Sequence, residues 1–300
     1  MMKLSHESKV RLGVGIGAFV LIIGLVFGIS RLLAHSDMVR TTGILSGHLS
    51  DFDDMFDDDD LLDDGSYSAR PQQLSSMTFD ADEFRYLDFD INAATVDVKA
   101  VDDNKVRVIE RGRVAKGVDA SKAATQNIAS VEDSTLKVSQ FGSDDGKAID
   151  RSVTVELPRR VAEHLKGINA HVGSGDLQIA GVICDGFDLF LRSGDVEFTG
   201  SVTDALSAEV GSGDVTFELY SAPAKSMDVS VDSGDVEITV PNSTGFKASL
   251  TVGSGDFESD FLPLGYDGET ILNPEFDNGD KSATYRFEVG SGDMSFDSEY

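Results

Sequence analysis

The chain has 300 residues, a formal net charge of −28 at pH 7, one cysteine and no tryptophan. A polyanion of this strength repels nucleic acid and anionic headgroups, and a lone Cys184 excludes an intrachain disulfide. Cationic peptides, basic protein patches, metal ions and neutral glycans remain as partner classes.

In chain order, residues 1–11 form a short basic segment expected in the cytoplasm. Residues 12–33, LGVGIGAFVLIIGLVFGISRLL, are apolar except for Ser30 and Arg31 and are long enough to cross a bilayer as one helix. Lys3, Lys9 and Arg11 precede the uncharged part, residues 12–30, and Arg31 and Arg40 follow it, an excess that favours a carboxy-terminal domain outside the cytoplasm. The expectation is therefore a single-pass protein of the cell membrane. Gly13, Gly17, Gly24 and Gly28 fall within an arc of about 60° on such a helix, two of the spacings being GxxxG, which makes this face a candidate for homodimerisation. Glycine is also simply common in membrane helices.

Residues 34–78 read as an acidic disordered linker. Its core, residues 50–64, holds nine Asp in fifteen positions, interrupted by Phe52, Met55, Phe56, Leu61 and Leu62. One reading is a solvated spacer; the other is an acidic amphipathic turn that docks on a basic groove. The EF-hand pattern is absent.

From residue 79 onward the pattern is that of strands. Phe84 to Ile91, Thr95 to Val101, Val106 to Ile109, Leu136 to Val138 and Val153 to Leu157 alternate apolar and polar side chains, and Pro158 ends the last of them. Residues 118–130 are Ala-rich and predict a short helix or edge cap. Ser-Gly-Asp then recurs six times, ending at Asp176, Asp195, Asp214, Asp235, Asp256 and Asp293, at intervals of 19, 19, 21, 21 and 37 residues. Apolar residues stand at −8, −6, −4, +1 and +3 from the Asp. Leu206, Ala208, Val210, Val215 and Phe217 around Asp214 illustrate the frame, and only Ser259 breaks it. The apolar parity changes across Ser-Gly-Asp, so the chain turns a corner there, with Gly supplying backbone freedom. Each unit is strand, corner, strand and a looser return such as Thr199 to Asp204 or Ser221 to Ser226. Units with identical inward positions stack best in register, which predicts an all-β, β-solenoid domain over 79–300 rather than a sandwich of hairpins.

Stacked corners would set neighbouring Asp side chains about 4.8 Å apart, a repulsion of about 1 kcal/mol per contact in water. Corner N–H groups and Ser hydroxyls offset it in one reading. In the other, the six Asp are candidate Ca²⁺ ligands, one per rung and hence weak. No other cofactor is expected. The segment 262–283, with Pro263, Gly265, Asn273-Pro274 and Asn278-Gly279, predicts an extended loop whose neighbourhood offers Tyr266, Phe276 and Tyr285 as candidate binding aromatics.

Catalytic signatures are missing from the sequence. His164 and His171 have no zinc-type spacing to each other or to Cys184, and no nucleophile elbow, P-loop or dinucleotide fingerprint occurs. Six carboxylates in equivalent places differ from the unlike pair that glycoside chemistry needs, which counts against a polysaccharide-lyase-type enzyme on a β-helix.

The segment VTVELP at 153–158, the repeated apolar units closed by Ser-Gly-Asp, and YRFEVGSGDMSF at 285–296 resemble the bacterial putative-adhesin β-repeat family over residues 84–296. The resemblance implies a membrane-attached envelope protein with a right-handed or flattened β-solenoid, linked in several relatives to envelope-stress signalling, and it carries over no catalytic residues. The acidic stretch 50–64 lies outside that pattern. The reading that results is a non-enzymatic, membrane-anchored envelope scaffold whose outward side chains recognise an envelope component. A surface adhesin or glycan binder is the second reading and would require exposed aromatic platforms on one face.

Overall fold

The computed structural model describes residues 66–140, 146–262 and 275–299, all within the compact unit Asp63–Tyr300. The expected transmembrane helix 12–33, its glycines and the acidic run 50–64 lie outside the described residues. Among the described residues no helix is long and apolar enough to cross a membrane.

The described residues form eighteen strands. They are β1 (Gln72–Asp80), β2 (Tyr86–Ile91), β3 (Thr95–Val101), β4 (Lys105–Val114), β5 (Ala129–Glu132), β6 (Thr135–Gln140), β7 (Ala148–Pro158), β8 (Leu165–Val172) and β9 (Asp176–Leu191), followed by β10 (Asp195–Val210), β11 (Asp214–Ser221), β12 (Ser226–Val231), β13 (Asp235–Pro241), β14 (Phe246–Val252), β15 (Asp256–Glu258), β16 (Glu275–Asn278), β17 (Ala283–Val289) and β18 (Asp293–Glu299). One helical turn, α1 (Arg159–Ala162), follows Pro158 and buries Val161 and Ala162. Strand β1 corrects the expected linker boundary at 78. Residues 72–80 pair antiparallel with β4, because Leu74 finds a buried place against Val114 and Ala148.

Strands that lead into a corner form one sheet, here the inbound sheet, in the order β5–β6–β2–β8–β9–β10–β12–β17–β14–β16. Strands that leave a corner form the outbound sheet, β1–β4–β7–β3–β9–β10–β11–β13–β18–β15. All pairings inside the stack are parallel, which excludes the hairpin sandwich. Among the described residues antiparallel strands occur only toward the ends, where β1, β4, β5 and β16 fold back over the terminal rungs.

The return is tighter than the sequence suggests. Strands β9 and β10 each run sixteen residues without a break, so Thr199 to Asp204 is strand and not loop. A register shift at Thr199/Gly200 lets β10 pass from the outbound to the inbound sheet. Gly181 does the same for β9 at φ +71°. The turn at Ala222 to Lys225 is a true break between β11 and β12.

The core lies between the two sheets. Inward side chains form ladders such as Ile168, Phe187, Leu206, Met227, Tyr285 and Ala248 on the inbound side, all buried. Phe187 of the inbound sheet meets Phe198 and Phe217 of the outbound sheet at centroid distances of 5.1 and 5.8 Å. Toward the carboxy-terminal end the filling is rich in aromatics, with Phe246, Phe257, Phe261, Phe276, Tyr285, Phe287 and Phe296 forming a chain of ring contacts among Leu250, Val289 and Met294. Each such ring contributes about 1.5–3 kcal/mol when fully removed from water.

Candidate functional site

The Ser-Gly-Asp corners stack as the repeat predicts, with Thr95 opposite Asp176, Asp195 opposite Asp214, Asp235 opposite Asp293 and Asp293 opposite Asp256. Their spatial order departs from chain order at the end: β17/β18 is inserted between β12/β13 and β14/β15. Asp293 therefore lies between Asp235 and Asp256, and the 37-residue interval is the excursion that permits the insertion. The same exchange occurs at the other end, where β2/β3 lies between β6/β7 and β8/β9.

Glycine has a different role at these corners from the backbone freedom inferred for it. None of the corner glycines adopts a positive φ. A Cβ on Gly213 would stand 1.8 Å from the carbonyl oxygen of Gly194, and one on Gly194 would stand 1.7 Å from that of Gly175. The corner is thus a column of backbones in direct contact, closed by bonds such as Ser193 N–H to Gly173 O and Ser212 N–H to Arg192 O. Ser hydroxyls serve this column rather than the carboxylates: Ser174 donates to Asn92 O and Ser193 to Gly173 O.

The Asp carboxylates are held by the neighbouring rung. Asp214 Oδ1 accepts from the Asp235 N–H at 3.3 Å, Asp235 Oδ1 from Asp293 N–H at 3.3 Å, and Asp293 Oδ1 from Asp256 N–H at 3.1 Å. Each repulsive contact is thereby coupled to a charge-assisted hydrogen bond. Among the described residues no three His, Cys, Asp or Glu side chains gather as a metal-binding group. The Ca²⁺ reading of Asp176, Asp195, Asp214, Asp235, Asp256 and Asp293 therefore lacks a converging ligand set, since the carboxylates are dealt out one to a rung.

The outbound sheet turns an acidic face to solvent. From the first half of β9 to β15 its strands contain no Lys or Arg. Beyond the corner Asp, two further outward columns read Gln178, Glu197, Thr216, Glu237, Ser295, Glu258 and Ala180, Thr199, Glu218, Thr239, Asp297. Acids alternate with neutral side chains along these positions and are staggered between columns; the exception is the next step of the second column, where Asp260 stands on Asp297 and its N–H donates to Asp297 Oδ1 at 3.1 Å. Thr199 donates to Glu218 at 3.3 Å across one of the alternating steps. The surface nevertheless strains its charges. Burial first, and then the flanking carboxylates, push Asp195, Asp235, Glu197 and Glu237 above the ordinary carboxylate range, with N–H donation from the next rung pulling Asp195 and Asp235 back. Asp297 is raised in the same way beside Asp260 and Glu258.

The expected aromatic binding residues divide. Tyr266 lies outside the described residues, while Phe276 and Tyr285 are buried, at 4% and 0% exposure. Both are corrections. Phe276 belongs to β16, which closes over β14, and Tyr285 occupies an inward ladder position and donates its hydroxyl to Pro223 O at 2.8 Å. Burial pushes the Tyr285 phenol well up. The frame itself contained the signal, since Tyr285 stands at −8 from Asp293. Cys184 is buried in mid-β9, its thiol pushed up to about 12 by burial and the adjacent Asp185, as suits an inert core residue.

A buried charge escaped the sequence reading. Glu110 is fully buried in β4 and accepts from Arg151 Nη1 at 2.7 Å, Thr125 Oγ1 at 2.5 Å, Thr125 N–H at 2.9 Å and Ser75 Oγ at 3.3 Å. It ties the 118–130 segment to the end of the stack. That segment is a single 3-10 turn, Ala120–Lys122, capped by Asp119, followed by the edge strand β5.

The family model of Toastrack DUF4097 matches residues 84–218 and, in a second overlapping register, 164–296. The chain belongs to this Toastrack family. Two overlapping matches are what a register-tolerant repeat produces. Among solved structures, a putative cell adhesion protein from Clostridium sporogenes is 12% identical, with 77% of this chain and 100% of that chain covered and a TM-score of 0.44. A putative adhesin from Bacteroides fragilis is 17% identical over 76% of this chain and 98% of that one, with a TM-score of 0.45. One from Parabacteroides distasonis is 13% identical over 76% and 97%, with a TM-score of 0.38. No curated protein matches the chain.

Proposed function

We propose that this Toastrack chain is a non-enzymatic, single-pass envelope protein that displays its stacked domain outside the cytoplasm as a rigid binding scaffold. The observation that carries the reading is the outbound face, where carboxylates continue from rung to rung with no intervening cation. Such a surface concentrates cationic partners, a basic protein patch or a cationic peptide, while repelling nucleic acid and anionic lipid. Its parallel backbone ladder holds the charges in place, so little ordering free energy is lost on binding. The apolar segment 12–33 supports the membrane anchor, and its glycine face supports helix association as the route by which occupancy outside is reported inward in envelope stress. Carboxylates that repeat in equivalent surroundings support binding rather than hydrolysis.

In-cell proximity labelling from a carboxy-terminal tag tests this. The expected result is labelling of extracytoplasmic envelope proteins, reduced when Glu197, Glu218 and Glu237 are changed together to Gln. Labelling confined to cytoplasmic proteins would reverse the orientation, and an unchanged set of neighbours in the triple variant would remove the acidic face as the recognition surface.

A further inference from the structure

The other broad surface, the outer face of the inbound sheet, has a different chemistry. Four large apolar or aromatic side chains stand exposed among the described residues: Tyr86, Ile183, Phe190 and Tyr220. Tyr86 and Phe190 share this face. Tyr86, 47% exposed, opens the first outward column, and the positions that continue it across the sheet are Gly167, Gly186 and Ala205. A Cβ on Gly167 would meet Tyr86 Cδ1 at 3.1 Å and Cε1 at 3.4 Å. The ring thus rests on bare backbone at Gly167, and the next position of the column, Gly186, also lacks a side chain, while Lys166 lies close enough to interact with the Tyr86 hydroxyl. In the third outward column Phe190, 40% exposed, packs against His171 with ring centroids 4.7 Å apart at 47°. Between these aromatic columns runs a polar one, Asp88, Asn169, Asp188 and Ser207, in which Asn169 Nδ2 donates to Asp88 Oδ1 at 3.0 Å. Two rungs and four residues separate Tyr86 from Phe190, a span of roughly 16 Å from strand spacing and rise.

We propose that this face binds a neutral oligosaccharide, with Tyr86 and the Phe190–His171 pair as two platforms and the Asp88, Asn169 and Asp188 row as the hydroxyl-recognising strip. A pyranose ring presents a face of C–H groups and a rim of hydroxyls. The C–H groups carry partial positive charge and suit the electron-rich face of an aromatic ring. The rim needs planar groups with paired acceptors and donors, which carboxylates and a carboxamide supply. Charge selects the ligand class. Asp88, Asp90, Asp188 and Glu209 stand on this face, Lys137 beside Asp88 and the Lys166–Asp185 pair being the cations next to it, and the chain carries a formal net charge of −28, which opposes acidic sugars and nucleic acid. A lipid surface or an apolar helix would need the two platforms to be continuous, and the polar column divides them. The inference rests on the display-surface reading and gives it a ligand on the face opposite the acidic one.

The full-length chain in detergent would be applied to an array of neutral linear oligosaccharides of glucose, N-acetylglucosamine, mannose and xylose, three to six rings long, with oligogalacturonate as the anionic control. Binding is expected for at least one neutral series and not for oligogalacturonate. For the bound series, Tyr86→Ala and Phe190→Ala should each weaken affinity by about tenfold, whereas Tyr220→Ala, on the outbound sheet, should leave it unchanged. These are surface positions, and urea midpoints matching the wild type would show that the variants fold. No neutral ligand bound, equal binding of oligogalacturonate, or affinity retained in both aromatic variants would each overturn the proposal. Proximity labelling involves no added sugar, so an empty array beside envelope labelling would reject the glycan site and leave the scaffold reading standing.

Discussion

Replacing one corner glycine by alanine should cost more than its size suggests, and the cost should depend on its place in the stack. In Gly213→Ala the new Cβ stands 1.8 Å from Gly194 O and 2.9 Å from Leu191 Cδ2. Ordinary contact requires a retreat of more than about 1 Å, a large fraction of the roughly 4.8 Å strand spacing. Such a shift stretches the flanking corner bonds, Gly211 N–H to Leu191 O and Ser212 N–H to Arg192 O, each now 2.8 Å. Losing both contributes about 2 kcal/mol. Overpacking adds about 1–3 kcal/mol, for a total of about 3–5 kcal/mol. A Cβ added at Gly255 would stand 1.7 Å from Gly292 O, but its rung is the last in the stack and can swing outward, so Gly255→Ala should cost about half as much. Gly186 is the control: its nearest neighbour, Ala205 O, is 3.8 Å from the added Cβ, and alanine there should be neutral or stabilise by about 0.5–1 kcal/mol. Equilibrium urea unfolding followed by circular dichroism reads all three. A Gly213→Ala midpoint equal to that of Gly186→Ala would refute backbone contact as the reason for the glycine.

Two further outcomes follow from the electrostatics. Glu110→Gln should destabilise the domain by about 3 kcal/mol, since it removes the buried carboxylate that bonds the Arg151 guanidinium at 2.7 Å; urea unfolding with limited proteolysis of 118–130 checks this, and a wild-type midpoint would count against it. Asp195, Glu197, Asp235, Glu237 and Asp297 have folded-state pKa values raised above those of the unfolded chain. The native state therefore binds more protons than the unfolded one in the window between the ordinary carboxylate value of about 4 and the raised values, and stability rises as pH falls through it. A thermal midpoint that increases from pH 7 toward about 5, with part of the same gain given by 1 M NaCl at pH 7, is expected; a midpoint falling steadily over that range would contradict it.

Much of the fold was legible because the inward ladders obey one rule. Leu206, Ala208, Val210, Val215 and Phe217 are buried as the alternation requires, and β3 spans the expected Thr95–Val101. What stayed hidden depends on partners distant in the chain. Gln72–Asp80 carries too few apolar residues to announce a strand, and its pairing with β4 lies about thirty residues away. Glu110 looks like any surface acid until Thr125 and Arg151 are brought to it. Of the candidate site, the corner Asp positions were readable and their hydrogen-bond partners were not. The platforms Tyr86 and Phe190 stood at outward positions of recognised strands, yet nothing local distinguishes an aromatic that rests on a distant glycine from one that turns into the core.

The exchanged rungs at the two ends bear on how an open stack avoids growing. A solenoid wound strictly in chain order would finish on a long parallel strand whose free edge invites another copy. Here the carboxy-terminal strand β18 is covered on both sides, by β13 and β15, and the outermost outbound strand among the described residues, β15, is only three residues long. On the inbound side the outermost place is taken by β16, four residues and antiparallel. At the opposite end β6 and β7 lie outside β2 and β3 and are covered in turn by the antiparallel β5 and β4, with β1 beyond β4. The last parallel template at each end is thus met by a short or reversed strand, which interrupts the register that a further rung would need. The broad faces of the stack, and not its ends, are then the surfaces left for recognition, with carboxylates on one and aromatic platforms on the other.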